Sequence, residues 1–163
     1  MATRVLIERI VCGGQTGADR AALDWAITHG VPHGGWCPAG RIAEDGVIPA
    51  RYQLTEVPDG GGYRQRTEVN VHDSDATLIV SIAPQLTGGT HETMLFARRL
   101  AKPWLHVHSG MDWRQALRAW IEANAISTLN VAGPRASKAP DIGSFTAEVL
   151  DALAQMGAMV KTG

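Results

Sequence analysis

The stretch "RIVCGGQTGADRAALDWAITHG", residues 9–30, decides the fold of this chain. An apolar run over residues 10–12 stops at two glycines, and a second apolar pattern, with helical spacing, begins after Gly17. A buried strand, a short glycine-rich turn and an amphipathic helix in succession are typical of the first unit of an α/β sheet. The stretch therefore predicts a strand over residues 7–12 and a helix over residues 18–29.

The same alternation of strand and helix recurs about five times along the chain. Turn residues and apolar periodicity predict a short strand in 31–38, a loop over 39–62, helices over 63–74, 88–101, 112–124 and 141–157, and strands over 76–83, 103–108 and 127–132. This order predicts an α/β fold, a single Rossmann-like domain over residues 1–163, with a mostly parallel open sheet and helices on both faces. The strands at 7–12, 76–83, 103–108 and 127–132 are expected to be central and buried, because their apolar runs do not alternate strictly.

Composition excludes several classes of function. Of 163 residues, 45% are hydrophobic and 19% are charged, with a formal net charge of -1 and both signs interspersed. Such a surface lacks the basic patch of a nucleic-acid-binding protein, and no apolar run reaches the roughly 18 residues of a membrane span. The chain also begins without a signal-peptide pattern. We expect a cytoplasmic protein without nucleic-acid or membrane partners, in which Cys12 and Cys37 are buried reduced thiols.

The first glycine-rich loop is a candidate ligand site, because ligands of open α/β sheets bind beyond the carboxyl ends of the strands. Its candidate residues are Gly13, Gly14, Gln15, Thr16 and Gly17. The glycines let the backbone approach a ligand and present N–H groups at a helix start, where anions bind. Gln15 and Thr16 can add hydrogen bonds to phosphate or sugar oxygens. The alternative is a tight turn between strand and helix that binds nothing.

A second loop, "TGGTHET" at residues 87–93, repeats this arrangement after the strand at 76–83. Gly88, Gly89 and Thr90 again bring bare backbone to the start of a helix. Thr90 is a candidate helix cap, and capping alone is the simpler interpretation. Glu92 lies in the first turn, where the helix dipole stabilises a carboxylate. The carboxylate can also bind a ribose hydroxyl or act as a general acid or base.

Three arginines follow glycine-rich loops and are candidates to grip a phosphate with two N–H groups. Arg135 comes first, because it follows Gly133 directly after the strand that contains Asn130. Arg20 lies at the start of the first helix. Arg41 lies in the loop over 35–49, where Glu44 and Asp45 can instead pair with it.

The histidines give no indication of a metal site. The six histidines form no H-x-x-x-H or H-E-x-x-H pattern, and His106 and His108 share one strand face without an evident third ligand. We therefore assign no metal ligands.

Five segments together resemble a known family. "CGGQTGADRAALDWA", "GWCPAGRIAEDGVIPARYQL", "RTEVNVHDSDATLIV", "GGTHET" and "LNVAGPRAS" occur in order from about residue 8 onward and are similar to the molybdenum carrier family. That family resembles the molybdenum-cofactor carrier proteins of algae and cyanobacteria. It also lies within a Rossmann-like group that includes the phosphoribohydrolases, enzymes that were once called lysine decarboxylases.

The resemblance implies a carrier that binds the molybdenum cofactor, another phosphorylated pterin or a nucleotide in its strand-end loops, and it implies a homo-oligomer. The alternative is a nucleoside-monophosphate phosphoribohydrolase, an N-glycosidase in which Glu92 is the catalytic carboxylate. The phosphoribohydrolases carry P-G-G-x-G-T-x-x-E at this loop. Here the loop reads T-G-G-T-H-E-T, with a shorter spacing to Glu92.

Overall fold

A computed structural model describes residues 5–160 of the chain; residues 1–4 and 161–163, and with them both predicted domain ends, lie outside it. Within this range the strands are β1 (Arg9–Val11), β2 (His33–Gly34), β3 (Trp36–Cys37), β4 (Ile42–Ala43), β5 (Gly46–Val47), β6 (Thr55–Glu56), β7 (Ala76–Ser81), β8 (Trp104–His108) and β9 (Thr128–Ala132). The α-helices are α1 (Ala18–Thr28), α2 (Tyr63–Asp73), α3 (Gly88–Arg99), α4 (Trp113–Ala123) and α5 (Ile142–Gln155). Each helix starts and ends within two residues of its predicted bounds.

Five of the strands form one parallel sheet in the order β2-β1-β9-β7-β8. The last of these strands in the chain, β9, occupies the middle and pairs with both β1 and β7. If the chain is read as starting from β9, the order becomes 3-2-1-4-5, which is the order of a doubly wound nucleotide-binding fold. The sheet is thus a Rossmann-like sheet with a permuted chain order, and the predicted α/β class is confirmed.

Helices cover both faces of this sheet. The larger buried cluster joins α1, α4 and α5 to one face through residues such as Leu23, Leu117 and Leu153. On the other face, a smaller cluster joins α2 and α3 through Val71 and Phe96. Both layers bury apolar side chains, which is the main force that stabilises the sheet between them. No helix within residues 5–160 combines the length and apolarity needed to cross a membrane.

The cysteines lie in the interior as predicted. Cys12 and Cys37 are free and buried. Burial raises the pKa of the Cys12 thiol well above its ordinary value, and it also raises the pKa of Cys37. Both groups are therefore protonated thiols near neutral pH, the less reactive form of cysteine.

The strand at 103–108 is not central, contrary to expectation. It forms β8 at one edge of the sheet, and of its residues Val107 is the buried one while its neighbours are half-buried. The central place belongs to β9. An apolar run indicates burial by covering helices, and α3 and α4 both contact this strand. An apolar run of this kind therefore also fits an edge strand that helices cover.

The predicted second strand divides at Gly35. The part before it, β2, joins the main sheet, whereas β3 leaves to pair in parallel with β6. Asn70 of α2 holds the departing segment, because its Oδ1 accepts from the Trp36 N–H at 2.8 Å and its Nδ2 donates to the Trp36 carbonyl at 2.9 Å. The region predicted as a loop, 39–62, also contains the antiparallel hairpin of β4 and β5.

Candidate functional site

A cleft of about 480 Å³ opens at the carboxyl ends of β1, β9 and β7. This is the point at which the permuted strand order reverses, where open α/β sheets bind ligands. Seven predicted site residues line it: Gly13, Gln15, Gly89, Thr90, Asn130, Gly133 and Arg135. The two glycine-rich loops therefore meet at one edge of the sheet, as expected for loops that follow parallel strands.

The first glycine-rich loop uses several of its own N–H groups internally. The Gln15 N–H donates to Asp19 Oδ2 at 3.1 Å, and the Thr16 N–H donates to Gln15 Oε1 at 3.0 Å. At the start of α1, the Ala18 N–H donates to the Pro134 carbonyl at 3.2 Å. These donors are already paired, so the loop does not offer them to an anion in the way that its sequence predicts.

Close packing explains two of the glycines in this loop. A Cβ at Gly13 would overlap the guanidinium of Arg66, which lies against the Gly13 backbone. A Cβ at Gly17 would lie 2.5 Å from the Pro134 carbonyl oxygen and 2.7 Å from the Ala136 nitrogen. Gly17 thus lets the loop that begins at Gly133 lie directly on the start of α1.

A buried ion pair forms one wall of the cleft. Arg66 Nη1 lies 3.0 Å from Asp19 Oδ2, and the two side chains are only 13% and 6% exposed. Burial raises the pKa of the Asp19 carboxyl, while the Arg66 charge and the Gln15 N–H oppose that rise. Sequence patterns did not predict this pairing, because the two residues lie 47 positions apart along the chain.

The start of α3 lines the opposite wall. Thr87 precedes the helix, and its side chain makes no capping hydrogen bond. The prediction that Thr90 caps the helix is wrong, because its hydroxyl donates to the Thr87 carbonyl at 2.7 Å instead. No side chain among residues 5–160 therefore caps the first N–H groups of α3, which carry the positive end of the helix dipole.

The loop over residues 133–141 brings two cations to the cleft, and one of them reaches this wall. A Cβ at Gly88 would lie 3.7 Å from Lys138 Nζ, so the lysine amine reaches the start of α3. Within the described part of the chain, Lys138 has neither an ion pair nor a side-chain hydrogen bond. Arg135 lies near Glu44, with 3.8 Å between its Nε and a carboxylate oxygen. Lys138 is thus the cleft cation that is left without a counter-charge.

Seven predicted site residues do not line the cleft: Gly14, Thr16, Gly17, Arg20, Arg41, Gly88 and Glu92. Arg20 pairs with Asp45. Glu92 is 44% exposed, and its Oε1 lies 3.5 Å from Arg64 Nη1.

The alternative in which Glu44 and Asp45 pair with Arg41 does not occur within residues 5–160. Arg41 donates to the backbone carbonyls of a neighbouring loop, namely those of Ile48, Pro49, Tyr52 and Leu54. Four carbonyl oxygens satisfy this guanidinium and hold it away from the cleft. Arg41 therefore stabilises the loop that follows β5.

Several residues that line the cleft were not among the predicted site residues. They are Asp19, Arg66, Asn70, Ser81, Thr93 and Lys138. Ser81 ends β7, and its Oγ lies 2.6 Å from both the Ala83 carbonyl oxygen and His106 Nε2. His106 and His108 are close, with ring centroids 5.6 Å apart. Among residues 5–160, no three His, Cys, Asp or Glu side chains converge as a metal-binding group.

Glu44, on the hairpin between β4 and β5, joins three loops beside the cleft. Its carboxylate accepts from the Thr16 hydroxyl at 2.7 Å, the Ser137 hydroxyl at 2.7 Å and the Ser137 N–H at 3.1 Å. The Glu44 N–H in turn donates to Gln15 Oε1 at 2.9 Å. This residue therefore ties the first glycine-rich loop to the loop that carries Arg135 and Lys138.

Acid is expected to weaken this connection. The Ser137 and Thr16 hydroxyls lower the pKa of the Glu44 carboxyl below its ordinary value of 4.5. A carboxyl with a lowered folded-state pKa stabilises the protein above its unfolded-state pKa, and this contribution disappears as pH falls through the folded-state value. Between about pH 6 and about pH 3, the native protein should lose more stability than Glu44→Gln in urea unfolding. Parallel losses in the two proteins would contradict this role of Glu44.

Comparison with known proteins agrees with the permuted strand order. The family described as "cpYpsA: Circularly permutated YpsA SLOG family" matches residues 10–154. A crystal structure of a "Putative molybdenum carrier protein" from Syntrophus aciditrophicus SB has a TM-score of 0.86 and 46% sequence identity, covering 92% of this chain and 96% of that chain. No curated protein matches the chain. The resemblance to molybdenum carrier proteins is confirmed, and the chain belongs to the circularly permutated YpsA SLOG family.

Proposed function

We propose that this protein is a molybdenum-cofactor carrier that binds a phosphorylated pterin or a nucleotide in the cleft. The observation that carries the proposal is the uncapped start of α3 with the unpaired amine of Lys138 beside it. A helix start that presents free N–H groups is a favourable phosphate site, and a lysine adds a full positive charge. The description of the 46% identical protein as a molybdenum carrier supports a molybdenum-related ligand.

The cleft has the size and lining of a small-molecule site. Its volume of about 480 Å³ falls within the roughly 300–1,000 Å³ typical of such sites. Backbone of Gly89 and Gly133, hydroxyls of Thr90 and Ser81, and the cation of Arg135 surround it. We propose that the phosphate lies at Gly89, Thr90 and Lys138, and that Arg135 exchanges its contact with Glu44 for a phosphate oxygen.

Of the other residues predicted from the sequence, Gly13, Gln15, Asn130 and Gly133 are proposed to contact the rest of the ligand. Asn130 is already oriented, because its Nδ2 donates to Thr77 Oγ1 at 3.2 Å. Gly14, Thr16, Gly17, Arg20 and Arg41 are proposed to shape the surrounding loops. Gly88 is proposed to admit the Lys138 amine to the start of α3. A cytoplasmic location and a homo-oligomeric state are further parts of the proposal, and light scattering of the purified protein tests the latter.

Binding without hydrolysis is the function that this geometry favours over an N-glycosidase. The carboxylates that line the cleft are those of Asp19 and Asp141, and Asp19 is held by Arg66. Glu92, the candidate catalytic residue, contacts Arg64 at the surface instead. A general acid or base must reach the reacting atom within hydrogen-bond distance or through one water molecule. Release of free base from AMP that is lost in Glu92→Gln would overturn the carrier proposal in favour of the phosphoribohydrolase.

Replacing Lys138 by alanine is expected to weaken the binding of a phosphorylated ligand by about ten- to a hundredfold, since a charge-assisted hydrogen bond is worth roughly 1.5–3 kcal/mol. Isothermal titration with GMP and with inorganic phosphate measures the loss. Because the lysine has no protein partner among the described residues, the melting temperature without ligand should stay the same.

Arg118→Ala is the matched control, because it also removes one positive charge but lies in a separate surface hollow near α4 and α5. The control should bind GMP as the native protein does. Equal weakening of GMP binding in both variants would mean that only the overall charge of the protein matters. It would contradict a phosphate site at the start of α3.

A further inference from the structure

Two buried donors on one side of the cleft have no partner. Gln15 Nε2 and Arg66 Nε make no hydrogen bond within residues 5–160, although both residues line the cleft and Gln15 is only 6% exposed. Buried polar groups are almost always hydrogen-bonded, so two unpaired donors on residues that line one cavity indicate a missing acceptor. This observation is independent of the start of α3.

The orientation of the Gln15 amide follows from its hydrogen bonds. Its Oε1 accepts from the backbone N–H groups of Thr16, at 3.0 Å, and Glu44, at 2.9 Å. Two donors require an acceptor, so the oxygen must lie on that side and the NH₂ group must lie on the other. The unpaired group is therefore a donor and not a misassigned carbonyl.

The two donors belong to one cluster. Arg66 Nη1 and the backbone N–H of Gln15 both donate to the same oxygen, Asp19 Oδ2, at 3.0 and 3.1 Å. Asp19 Oδ2 is thereby paired twice, and the unpaired side-chain atoms of Gln15 and Arg66 are both N–H donors. A ligand that reaches the cluster must present acceptors to it.

The cluster lies across the sheet from the proposed phosphate site. Gln15 follows β1 and the start of α3 follows β7, with β9 between these two strands. Neighbouring strands are about 4.8 Å apart, so the strand ends from which the two sites extend are roughly 10 Å apart. This spacing suits a ligand with a phosphate at one end and a heterocyclic ring at the other.

We propose that the cleft selects an oxo-substituted heterocycle, a 4-oxopterin or a 6-oxopurine, over a 6-aminopurine. Such a ring carries adjacent acceptors, as guanine does at O6 and N7, and these match the Gln15 and Arg66 donors. Adenine presents N7 as an acceptor but a donor amino group beside it, which would meet the Gln15 NH₂ group. The inference deepens the proposed function and rests on it, because it names the ring that accompanies the phosphate.

The test compares IMP with AMP, which share ribose and phosphate and differ at position 6 of the ring. Isothermal titration of the native protein should give at least about tenfold tighter binding of IMP, in line with the discrimination that hydrogen-bonding sites achieve. Equal affinities, or tighter binding of AMP, would overturn the inference and leave the phosphate-binding proposal standing. Binding of neither nucleotide would overturn both.

Gln15→Glu tests the residue directly. A glutamate keeps one oxygen for the Thr16 and Glu44 N–H groups and replaces the free NH₂ group by an acceptor. The ratio of IMP to AMP affinity should fall to about one or invert. Lys138→Ala is the control, because it should weaken both nucleotides equally and leave the ratio unchanged. An unchanged ratio of IMP to AMP affinity in Gln15→Glu would show that Gln15 does not contact the ring.

Discussion

Replacing Asp19 by alanine is expected to lower the free energy of unfolding by about 3–5 kcal/mol, the usual cost of leaving one buried charge without its partner. Arg66 is only 13% exposed and would keep its charge, since arginine is not deprotonated in proteins. The Gln15 N–H would lose its acceptor as well. Urea unfolding followed by circular dichroism at neutral pH measures the change.

The ion pair between Arg114 and Glu148 provides the control. It also joins an arginine to a carboxylate, but both side chains are exposed, to 60% and 53%. Glu148→Ala should therefore cost less than about 1 kcal/mol. If the Asp19 and Glu148 variants lost similar amounts of stability, burial of the Asp19–Arg66 pair would not be the source of its importance.

Replacing Gly17 by alanine is expected to lower the free energy of unfolding by about 2–5 kcal/mol, the sum of a left-handed backbone penalty and the cost of overpacking. Gly17 has a φ of +82°, and an added Cβ would lie 2.5 Å from the Pro134 carbonyl oxygen. Because backbone atoms cannot rotate away, the loop that carries Arg135 would have to move. The same variant should thus also weaken GMP binding in isothermal titration.

Gly60→Ala separates the two causes. Gly60 has a similar φ of +71°, but apart from its chain neighbours no atom of residues 5–160 lies within 4 Å of the position that its Cβ would take. This variant should lose only the backbone contribution, about 1–2 kcal/mol, and should bind GMP normally. Equal losses at both glycines would show that contact between the two loops adds nothing to stability.

Much of the fold could be predicted from local patterns. Helix bounds follow from apolar periodicity and turn residues, which is why all five helices lie within two residues of expectation. The meeting of the 13–17 and 88–90 loops also follows, because parallel strands place their carboxyl ends at one edge. The strand order does not, since β9 is the last strand of the sheet along the chain and no local signal indicates that it lies in the middle.

For the site residues, too, local patterns predict some positions and not others. Gly13, Gly89, Gly133 and Arg135 line the cleft, as their positions after strands predict, but Gly14, Gly17 and Gly88 do not. The partners of charged side chains depend on contacts between distant segments. Asp19 and Arg66 are 47 positions apart, and Arg41 binds carbonyls that no charge pattern indicates. One signal could have indicated the ion pair: Asp19 shares a helix face with Ala22, Leu23 and Ala26, and a carboxylate on an apolar face needs a buried partner.

The middle position of β9 has a consequence for protein synthesis. Strands β1 and β7 pair with β9 and not with each other, so the nascent chain holds two separate strand pairs, β2-β1 and β7-β8, until residue 132 has emerged. Translation proceeds at about 5–20 residues per second, so this interval lasts for seconds, during which strand edges of both pairs are open to neighbouring chains. Ribosome-bound chains that stop before β9 would lack one of the three strands at whose carboxyl ends the cleft opens.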